Sequence, residues 1–572
     1  MESGSASNQI VPVPCFAAGT AATECGAIEM RDAQAAAHAA DGAARASGRA
    51  AVVAAAGLAD SLRMAAGLVT ARGDRQPVVA VAALGGPELE LARPALETAS
   101  RAVIDCRSSA IEPDGCLAAL ALGPPVVVIV SNLVGLATAV GRLREILPDW
   151  SPADRGGLEV DEEAILEALP ALRESKRPVI LVGHGAATAA DLEAIATLAR
   201  VWQAPVCLTF SATSMPAGTL EQFRSAFAVE LPILPAGTVP WSTALARADR
   251  VLALGSGLSE ADWFGLSDAR LVRAPVTRVV LAPDPDGVAE TTVPADAGDF
   301  AAALTNELER GGVLTRDGWI ERFSEARSTW TELVDQEAER GAREDRLTPA
   351  LAAREIVAAA PAGTVFVGEG GASGMWLASY AWLRPLVMPA QHASIGASIA
   401  MAAGIAEAEP TRPVWTVLGD GAFFYCAREL SALAERGVPA VVFVFDDRSW
   451  NAIRLVQTLF FKRRTIGTDL PDVDFRNLAE LHGCETLRVR TPGEMAMALS
   501  LAQESRTKPL VVDVRIEKGA IPFVGANLIL AEVDGVLRTL AGSAALSSAV
   551  AAAKDRPALA ANLRVIAGAV RK

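Results

Sequence analysis

Short apolar runs of strand length recur along the chain, and longer helical stretches separate them. The stretch at 187–202, which follows one such run, is typical of these helical segments. Strands are predicted at 51–55, 77–83, 124–130, 177–182, 205–209, 250–254, 278–281, 364–368, 414–418, 440–445 and 510–515. Because buried strands that alternate with helices form parallel sheets covered on both faces, the pattern predicts an α/β fold.

The runs fall into three groups, and a chain of 572 residues is too long for one core. An acidic stretch with Pro and Gly at 149–163 follows the first group, and a charged helical segment at 318–340 precedes the third. We therefore predict three consecutive doubly wound parallel-sheet domains. Their predicted bounds are 1–148, 160–315 and 345–540, followed by a tail at 541–572.

Composition and charge exclude several classes of protein. No apolar run approaches the ~20 residues of a membrane span and no signal peptide opens the chain, so we expect a cytoplasmic protein without a membrane segment. The net charge of −15 leaves no basic stripe for a nucleic acid. The seven cysteines lack C-x-x-C spacing and are predicted to be buried, reduced thiols.

Carboxylates follow two predicted strands of the third domain. A Gly-Asp-Gly triplet at 419–421, with Asp420 at its centre, comes directly after one strand, and Asp446 and Asp447 follow the next. A helix is predicted between them at 423–436, and its first amides are expected to face the same point. Oxygen ligands suit Mg²⁺, and glycines let the backbone approach a phosphate. The segment predicts a site for a diphosphate bound through a divalent cation.

Two glycine turns of the central domain, at 183–185 and 255–257, also follow predicted strands. Such turns can hold a nucleotide, but neither has the full G-x-G-x-x-G followed by an acidic ribose ligand. A structural domain is the favoured interpretation, and nucleotide binding is the alternative.

The third domain resembles the diphosphate-binding domain of thiamine-diphosphate (ThDP) enzymes, a superfamily that includes acetohydroxyacid synthase, benzoylformate decarboxylase and glyoxylate carboligase. The family pattern is G-D-G followed, one helix and one strand later, by N-N. The resemblance implies Asp420, Asp447 and the main-chain carbonyl of Ser449 as Mg²⁺ ligands, and Gly419, Gly421 and Ala422 as cofactor contacts. Two aspartates in place of N-N favour the cation but add negative charge beside the phosphates.

The resemblance continues in a Ser-Ile-Gly turn at 394–396. In the family, a bulky residue at the position of Ile395 bends the cofactor so that its 4′-amino group meets the thiazolium C2. A plain core position is the alternative for Ile395. The resemblance also implies cofactor contacts at Ser394 and at the strand end formed by Glu369 and Gly370.

The central domain resembles the family's middle domain, and the first domain resembles its pyrimidine-binding domain, shortened at the N terminus. The segment 31–45 aligns without gaps to the family's RHEQGAAFMADGYAR, which places Ala33 at the family's glutamate. In the family that carboxylate hydrogen-bonds N1′ of the aminopyrimidine and drives deprotonation of C2, which a methyl group cannot do. Asp32 and Gln34 are expected to point elsewhere.

Two histidines are candidates for catalytic roles. His392 adjoins the turn at 394–396 and is a candidate acid/base, with a histidine hydrogen-bonded at a strand end as the alternative. His38 matches a histidine of glyoxylate carboligase, a working family member with an aliphatic residue in place of the glutamate. A core residue is the alternative for His38.

The favoured prediction is an enzyme dependent on ThDP and Mg²⁺ that cleaves or forms a carbon–carbon bond of a 2-oxo acid or 2-hydroxy ketone, as a decarboxylase, carboligase or lyase. A ThDP-fold protein without catalysis is the alternative, because of Ala33. FAD is not expected. Trp450 and the aromatic pair at 460–461 favour an apolar 2-oxo acid or aldehyde. Family sites lie between subunits, which implies a homodimer or homotetramer.

Overall fold

The computed structural model describes residues 13–109, 112–150 and 160–523, together with 560, 561 and 564. The range 160–523 has gaps at 187, 215, 217–218, 220–222, 224–231, 260–261, 263–271, 273, 282–288, 290, 313, 317, 382–383, 390–393 and 462. His392 and nearly all of the predicted tail at 541–572 therefore lie outside the described residues.

The first of two compact units, Met1–Gly156, contains a six-stranded parallel sheet. Its strands are β1 (Cys15–Ala18), β2 (Ile28–Met30), β3 (Ala51–Ala56), β4 (Val78–Ala83), β5 (Ala102–Asp105) and β6 (Val126–Val130). Its helices are α1 (Thr20–Cys25), α2 (Ala33–Ser47), α3 (Gly57–Gly73), α4 (Gly86–Ala99), α5 (Pro113–Leu122) and α6 (Leu133–Ile146). The strand order is β2-β1-β3-β4-β6-β5.

Alanine allows α2 to lie buried against its neighbours. A Cβ placed on Gly67 of α3 would lie 2.7 Å from the Cβ of Ala37, so the two helices approach as closely as their backbones permit. The guanidinium of Arg45 forms ion pairs of 2.8 Å with both Asp41 and Asp74, and all three side chains are fully buried. Because a buried charge is tolerated only when it is paired, these contacts hold α2 in one register against the end of α3.

The second unit, Gly157–Lys572, begins with another six-stranded parallel sheet. Its strands are β7 (Pro178–Val182), β8 (Val206–Leu208), β9 (Ile233–Leu234), β10 (Arg250–Leu254), β11 (Val276–Val280) and β12 (Thr291–Pro294). Its helices are α7 (Glu162–Glu174), α8 (Ala189–Trp202), α9 (Val239–Arg247) and α10 (Ala297–Arg310), and α11 (Trp319–Arg343) follows. The strand order is β12-β11-β10-β7-β8-β9.

The third sheet belongs to the same unit and is also parallel throughout. Its strands are β13 (Val365–Gly368), β14 (Leu386–Val387), β15 (Val414–Gly419), β16 (Val441–Asp446), β17 (Glu485–Val489) and β18 (Leu510–Arg515). Its helices are α12 (Pro349–Ala359), α13 (Ala372–Ala381), α14 (Ser398–Ala408), α15 (Asp420–Cys426), α16 (Leu430–Glu435), α17 (Asn451–Phe460), α18 (Phe475–Leu481) and α19 (Pro492–Ala502). The strand order is β14-β13-β15-β16-β18-β17.

One apolar core joins the second and third sheets through α11. Trp319 of α11 packs edge-on against Phe323, with ring centroids 4.9 Å apart. Phe523, which follows β18, packs against Trp376 at 4.9 Å and Trp330 at 6.2 Å. The segment after β18 is therefore anchored beside the carboxyl ends of the third sheet.

The predicted fold class, three doubly wound parallel sheets, is confirmed. The predicted helix at 423–436 is wrong in its bounds, because α15 already begins at Asp420 and a 3₁₀ turn at Ala427–Glu429 separates it from α16. The helix thus begins within the Gly-Asp-Gly triplet, with Gly421 in its first turn, where the amides have no intrahelical partner. The predicted domain bounds stay a prediction.

All seven cysteines are buried and unpaired. Across the ranges described above, no helix is both long and apolar enough to cross a bilayer.

Candidate functional site

The carboxyl ends of β13, β15 and β16 lie next to one another at one edge of the third sheet. β14 lies on one side of β13 and β15 on the other, so the winding direction of the chain reverses between β13 and β15. Ligands of open α/β sheets bind at such a reversal point, outside the carboxyl ends of the strands. A cavity of about 290 Å³ lies at this point.

The structure brings most of the predicted site residues to this cavity. Those that line it are Glu369, Gly370, Ile395, Gly419, Asp420, Gly421, Ala422, Asp447 and Ser449. Ser394 directly precedes Ile395 and is not part of the lining. Ala33 and His38 belong to the first unit, and His392 lies outside the described residues. The roles of these residues stay predictions.

Asp420 has a carboxylate oxygen suited to a cation. The residue is 2% exposed, and its Oδ1 accepts a hydrogen bond from the Gly421 amide at 2.8 Å. Its Oδ2 is buried without a hydrogen-bond partner in the described part of the chain. Burial, together with the neighbouring Asp447 and Asp446, raises the pKa of Asp420. Because an unpaired buried carboxylate is costly, this atom fits a metal ligand.

Asp447 faces the same cavity and is held in place by backbone donors. Its Oδ1 accepts hydrogen bonds from the amide of Ser449 at 3.0 Å and from the hydroxyl of Ser449 at 2.9 Å. Its Oδ2 accepts a longer one, 3.4 Å, from the Gly519 amide. Burial raises the pKa of Asp447 as well. Both predicted ligand carboxylates are thus buried carboxyl groups at the end of a strand.

The donor set has two carboxylates and needs further oxygens. Among the residues that the structure describes, no group of three or more His, Cys, Asp and Glu side chains is arranged to hold a metal. A cation at Asp420 and Asp447 would therefore take its remaining ligands from the main chain and from a bound anion. This is the usual situation of Mg²⁺, which binds through one or two carboxylates plus phosphate oxygens.

Asp446 is turned toward a basic side chain that the sequence prediction missed. Its Oδ2 forms an ion pair with Nε of Arg515 at 2.9 Å. Burial raises the pKa of Asp446, and Arg515 opposes this. The register of β16 against β18 places Arg515 directly opposite Asp446, and this strand pairing was the only signal that could have identified the contact. The extra negative charge expected at 446 is therefore paired.

Close contacts explain two glycines of the predicted motifs. Gly396 has φ +81°, and a Cβ there would lie 2.7 Å from the Cβ of Tyr425. A Cβ on Gly421 would lie 2.4 Å from the ring of Trp450, which packs over the triplet at 419–421. Ile395, directly before Gly396, is 43% exposed and lines the cavity, which favours a cofactor contact over a core position.

Glu369 anchors the turn that follows β13. Its Oε2 accepts a hydrogen bond from the Ser398 hydroxyl at 2.9 Å, and its Oε1 accepts one from the Gly370 amide at 3.3 Å. Burial raises its pKa, and these donors oppose the shift. The carboxylate of Glu369 therefore connects the end of β13 to the start of α14.

Neither sequence neighbour of Ala33 offers a carboxylate to replace the family's glutamate. The residue is fully buried and begins α2. The carboxylate of Asp32 caps this helix and accepts a hydrogen bond from the Ala35 amide at 2.8 Å. Gln34, on the other side, carries no acid. The position predicted for the catalytic carboxylate thus presents only a methyl group.

His38 is a buried histidine on α2. It is 1% exposed, and neither ring nitrogen has a hydrogen-bond partner within the described residues. Burial, with a smaller contribution from the Arg45 charge, lowers the pKa of His38 from 6.5 to about 4. The ring is therefore neutral in the folded protein at physiological pH.

We expect acidification to destabilise the wild type more than a His38→Leu variant. As the pH falls, His38 of the unfolded chain takes up a proton at a higher pH than His38 of the folded chain. The contribution of the neutral ring to stability is therefore complete above pH 6.5 and is lost toward pH 4. Between pH 7.5 and pH 4.5 the free energy of unfolding of the wild type should fall by about 3 kcal/mol more than that of His38→Leu. Urea unfolding at both pH values measures it, with His482→Leu, at a half-buried histidine, as the control. Equal pH dependence in wild type and His38→Leu would contradict a neutral His38.

The glycine turns of the central domain pack directly on each other. They follow β7 and β10, where the strand order of that sheet reverses. The Gly185 amide donates to the Gly255 carbonyl at 2.9 Å, and a Cβ on Gly183 would lie 2.5 Å from the same oxygen. These contacts support the structural interpretation, because the glycines serve close backbone packing.

Comparison with known protein families matches all three domains. The family models are described as thiamine pyrophosphate enzyme, N-terminal TPP binding domain at residues 12–90, central domain at 165–304 and C-terminal TPP binding domain at 369–514. The last of these spans both Asp420 and Asp447. Thiamine pyrophosphate is ThDP, so two of the three matched domains are ThDP-binding domains.

Characterised relatives include two kinds of enzyme. Sulfoacetaldehyde acetyltransferase of Roseovarius nubinhibens is 29% identical over 401 residues, 63% of this chain and 64% of the relative. Acetolactate synthase large subunit of Corynebacterium glutamicum is 25% identical over 389 residues, 64% of this chain and 58% of the relative. The chain thus covers less than two thirds of the length of either. A probable acetolactate synthase large subunit of Methanocaldococcus jannaschii is 24% identical over 533 residues, 87% of this chain and 86% of the relative. With the three domain models in order along its length, the chain belongs to the superfamily of thiamine-diphosphate-dependent enzymes.

Proposed function

We propose that this protein binds ThDP through Mg²⁺ in the cavity of the third sheet and cleaves or forms a carbon–carbon bond next to a carbonyl group. The observation that carries the proposal is the buried Oδ2 of Asp420, which has no hydrogen-bond partner among the described residues and lies in the same cavity as Asp447. Such an atom needs a cation, and the glycines beside it leave room for a bound anion.

Asp420, Asp447 and the main-chain carbonyl of Ser449 would hold the cation. Hydrogen bonds from Ser449 and Gly519 already orient the carboxylate of Asp447, so little ordering is needed when the metal binds. The phosphate oxygens of the cofactor would complete the octahedron that Mg²⁺ prefers.

The chain's other residues position and enclose the ligand. Bound ThDP supplies an electron sink for the reacting carbonyl carbon. Ile395 supports the cofactor from the cavity wall, and Trp450 narrows the space above Gly421. The apolar side chains of Ile453 and Ile516 line the same cavity and exclude water, which favours an apolar 2-oxo acid or aldehyde.

The names of the relatives favour bond formation over simple decarboxylation. They are an acetyltransferase and acetolactate synthases. We therefore propose that an acyl group from a 2-oxo acid or 2-hydroxy ketone is passed to an acceptor, as in a carboligase or transferase.

A ThDP-fold protein that binds its ligand without turnover is the second candidate. The buried methyl group of Ala33, with Asp32 engaged as a helix cap, favours it. Binding of ThDP is expected under both functions, so only product formation separates them.

We further propose a cytoplasmic homodimer or homotetramer with the cofactor between subunits. Support comes from apolar side chains around the cavity that are exposed, namely Ile395 at 43%, Tyr425 at 56% and Ile453 at 55%. Clustered exposed apolar groups are typical of protein–protein contacts. Buried thiols without a disulfide are typical of the cytoplasm.

Calorimetric titration with ThDP in the presence of Mg²⁺ tests the proposal first. We expect saturable binding that is lost when EDTA removes the metal. A panel of 2-oxo acids, each with and without an aldehyde acceptor, should then release CO2 and give an addition product. Absence of binding at millimolar ThDP would contradict the proposed site, whereas binding without any product would favour the non-catalytic candidate.

A further inference from the structure

Paired acidic and basic side chains form a row from the predicted metal loop at 446–449 across β16, β18 and β17. The row is defined by the ion pairs Arg515–Asp446 at 2.9 Å, Arg515–Asp513 at 3.5 Å, Arg488–Asp513 at 2.7 Å and Arg488–Asp474 at 2.9 Å, and Arg515 also pairs with the exposed Asp472 at 2.6 Å. Asp446 and Asp513 have fully buried side chains, while Arg515 is 17% exposed and Arg488 13%. Solvent therefore screens these charges only weakly.

Backbone pairing between strands places two of these ion-pair partners directly opposite each other. Asp446 is the partner of Arg515 in the ladder between β16 and β18, and Arg488 is the partner of Asp513 between β17 and β18. The pairs Arg515–Asp446 and Arg488–Asp513 thus join neighbouring strands, whereas Arg515 and Asp513 lie on the same strand and Asp474 precedes α18. An arginine that reached its partner from a loop would not be held in place by strand pairing.

The three carboxylates around the predicted metal site, when ionised, carry more negative charge than a single divalent cation balances. Asp420, Asp446 and Asp447 are all at least 97% buried at the same sheet edge. The diphosphate of a bound cofactor would add more. Arg515 brings a positive charge into contact with Asp446, the one of these three acids that does not line the cavity.

We propose that Arg515 is a positioning residue for the cofactor. By pairing with Asp446, it offsets part of the negative charge there, so that this chain can carry two consecutive aspartates at the metal loop with less repulsion of the diphosphate. The proposal rests on the proposed function of this cavity as a ThDP site. It explains how a pair of aspartates can stand where the family pattern has two asparagines.

A double-mutant cycle tests the proposal without relying on activity. ThDP binding at saturating Mg²⁺ is measured by calorimetry. It is also measured by quenching of the fluorescence of Trp376 and Trp450, which line the cavity. Arg515→Gln leaves the carboxylate of Asp446 without its arginine partner, so the dissociation constant of ThDP should rise about tenfold. Asp446→Asn, and the double variant Asp446→Asn with Arg515→Gln, should stay within about threefold of the wild type.

Rescue by the second substitution separates charge compensation from a structural role. If Arg515 only supported the fold, removing Asp446 would not restore ThDP affinity. Arg515→Lys keeps the charge and should bind like the wild type. Arg476→Gln is the control, because Arg476 pairs with Asp474 at the far end of the row and does not reach the loop.

The ThDP affinities of these variants decide the role of Arg515 separately from the proposed function. If Arg515→Gln does not fold, Asp446→Asn and the double variant still decide, since equal affinities are predicted for them. A double variant that binds ten times more weakly than Asp446→Asn, or an Arg515→Gln variant that binds like the wild type, would overturn the role of Arg515. A wild type that binds no ThDP would instead contradict the proposed function itself.

Discussion

Asp420→Asn is expected to weaken ThDP binding in the presence of Mg²⁺ by a factor of about a hundred or more, while making the cofactor-free protein more stable. The two effects have one cause. Oδ2 of Asp420 is buried and has no hydrogen-bond partner among the described residues, so its charge opposes folding until a cation binds. An amide keeps the shape of the side chain but not the charge, and the free energy of unfolding should rise by about 1–3 kcal/mol.

The measurements are calorimetric titration of the variant with ThDP and Mg²⁺ and urea unfolding of the cofactor-free protein. Asp447→Asn is the matched control, because the family pattern has an asparagine at this position and an aspartate at 420, and the amide oxygen can accept the hydrogen bonds from Ser449. We expect this control to retain binding within about tenfold of the wild type. Unchanged ThDP affinity in Asp420→Asn would show that the cation does not bind at Asp420.

Local pattern was sufficient to predict the fold. Six consecutive residues at 510–515 were predicted as a strand and form β18 with the same bounds, because an apolar run between polar flanks has few other stable environments in an α/β chain. The start of α15 was missed by three residues. The prediction placed it after the Gly-Asp-Gly triplet, whereas the helix begins at Asp420 within the triplet.

The site was predictable where it depends on a single strand end. Asp420 follows β15 directly, so its position at the carboxyl edge of the sheet follows from the strand alone. Arg515 was not predicted, because its contact with Asp446 depends on the pairing of β16 with β18, and three helices and a further strand separate these two strands in the sequence. Pairing of distant strands is not contained in a local pattern.

Side-chain partners were the least predictable part. The expectation that Asp32 points away from the position of Ala33 agrees with its role as a helix cap, which an Asp before an alanine-rich helix already indicates. The burial of His38 without a hydrogen-bond partner among the described residues, in contrast, follows from the packing of α2 among its neighbours. Nothing in the alternation of alanine and polar residues distinguishes it from an exposed histidine.

Ala33→Glu is expected to accelerate proton exchange at C2 of bound ThDP by about a hundredfold or more, because a carboxylate at this position would supply the acid–base partner that the methyl group cannot. To measure exchange, the holoprotein is mixed with D2O and samples are quenched at intervals. The remaining C2 proton is then read by NMR. Ala33 is fully buried, so the new carboxyl group should lower the free energy of unfolding by about 1–3 kcal/mol, which urea unfolding checks.

Gln34→Glu is the matched control for Ala33→Glu, because it adds the same charge one residue along α2 at a half-buried position. Unchanged exchange in Ala33→Glu, with ThDP still bound, would show that Ala33 does not face the aminopyrimidine. Faster exchange in Gln34→Glu alone would show that the alignment is displaced by one residue. If Ala33→Glu accelerates exchange and also releases product from 2-oxo acids that the wild type leaves unchanged, the natural chain is the non-catalytic binding protein. If the wild type already forms product, Ala33 belongs to a working site in which steps after proton removal limit turnover.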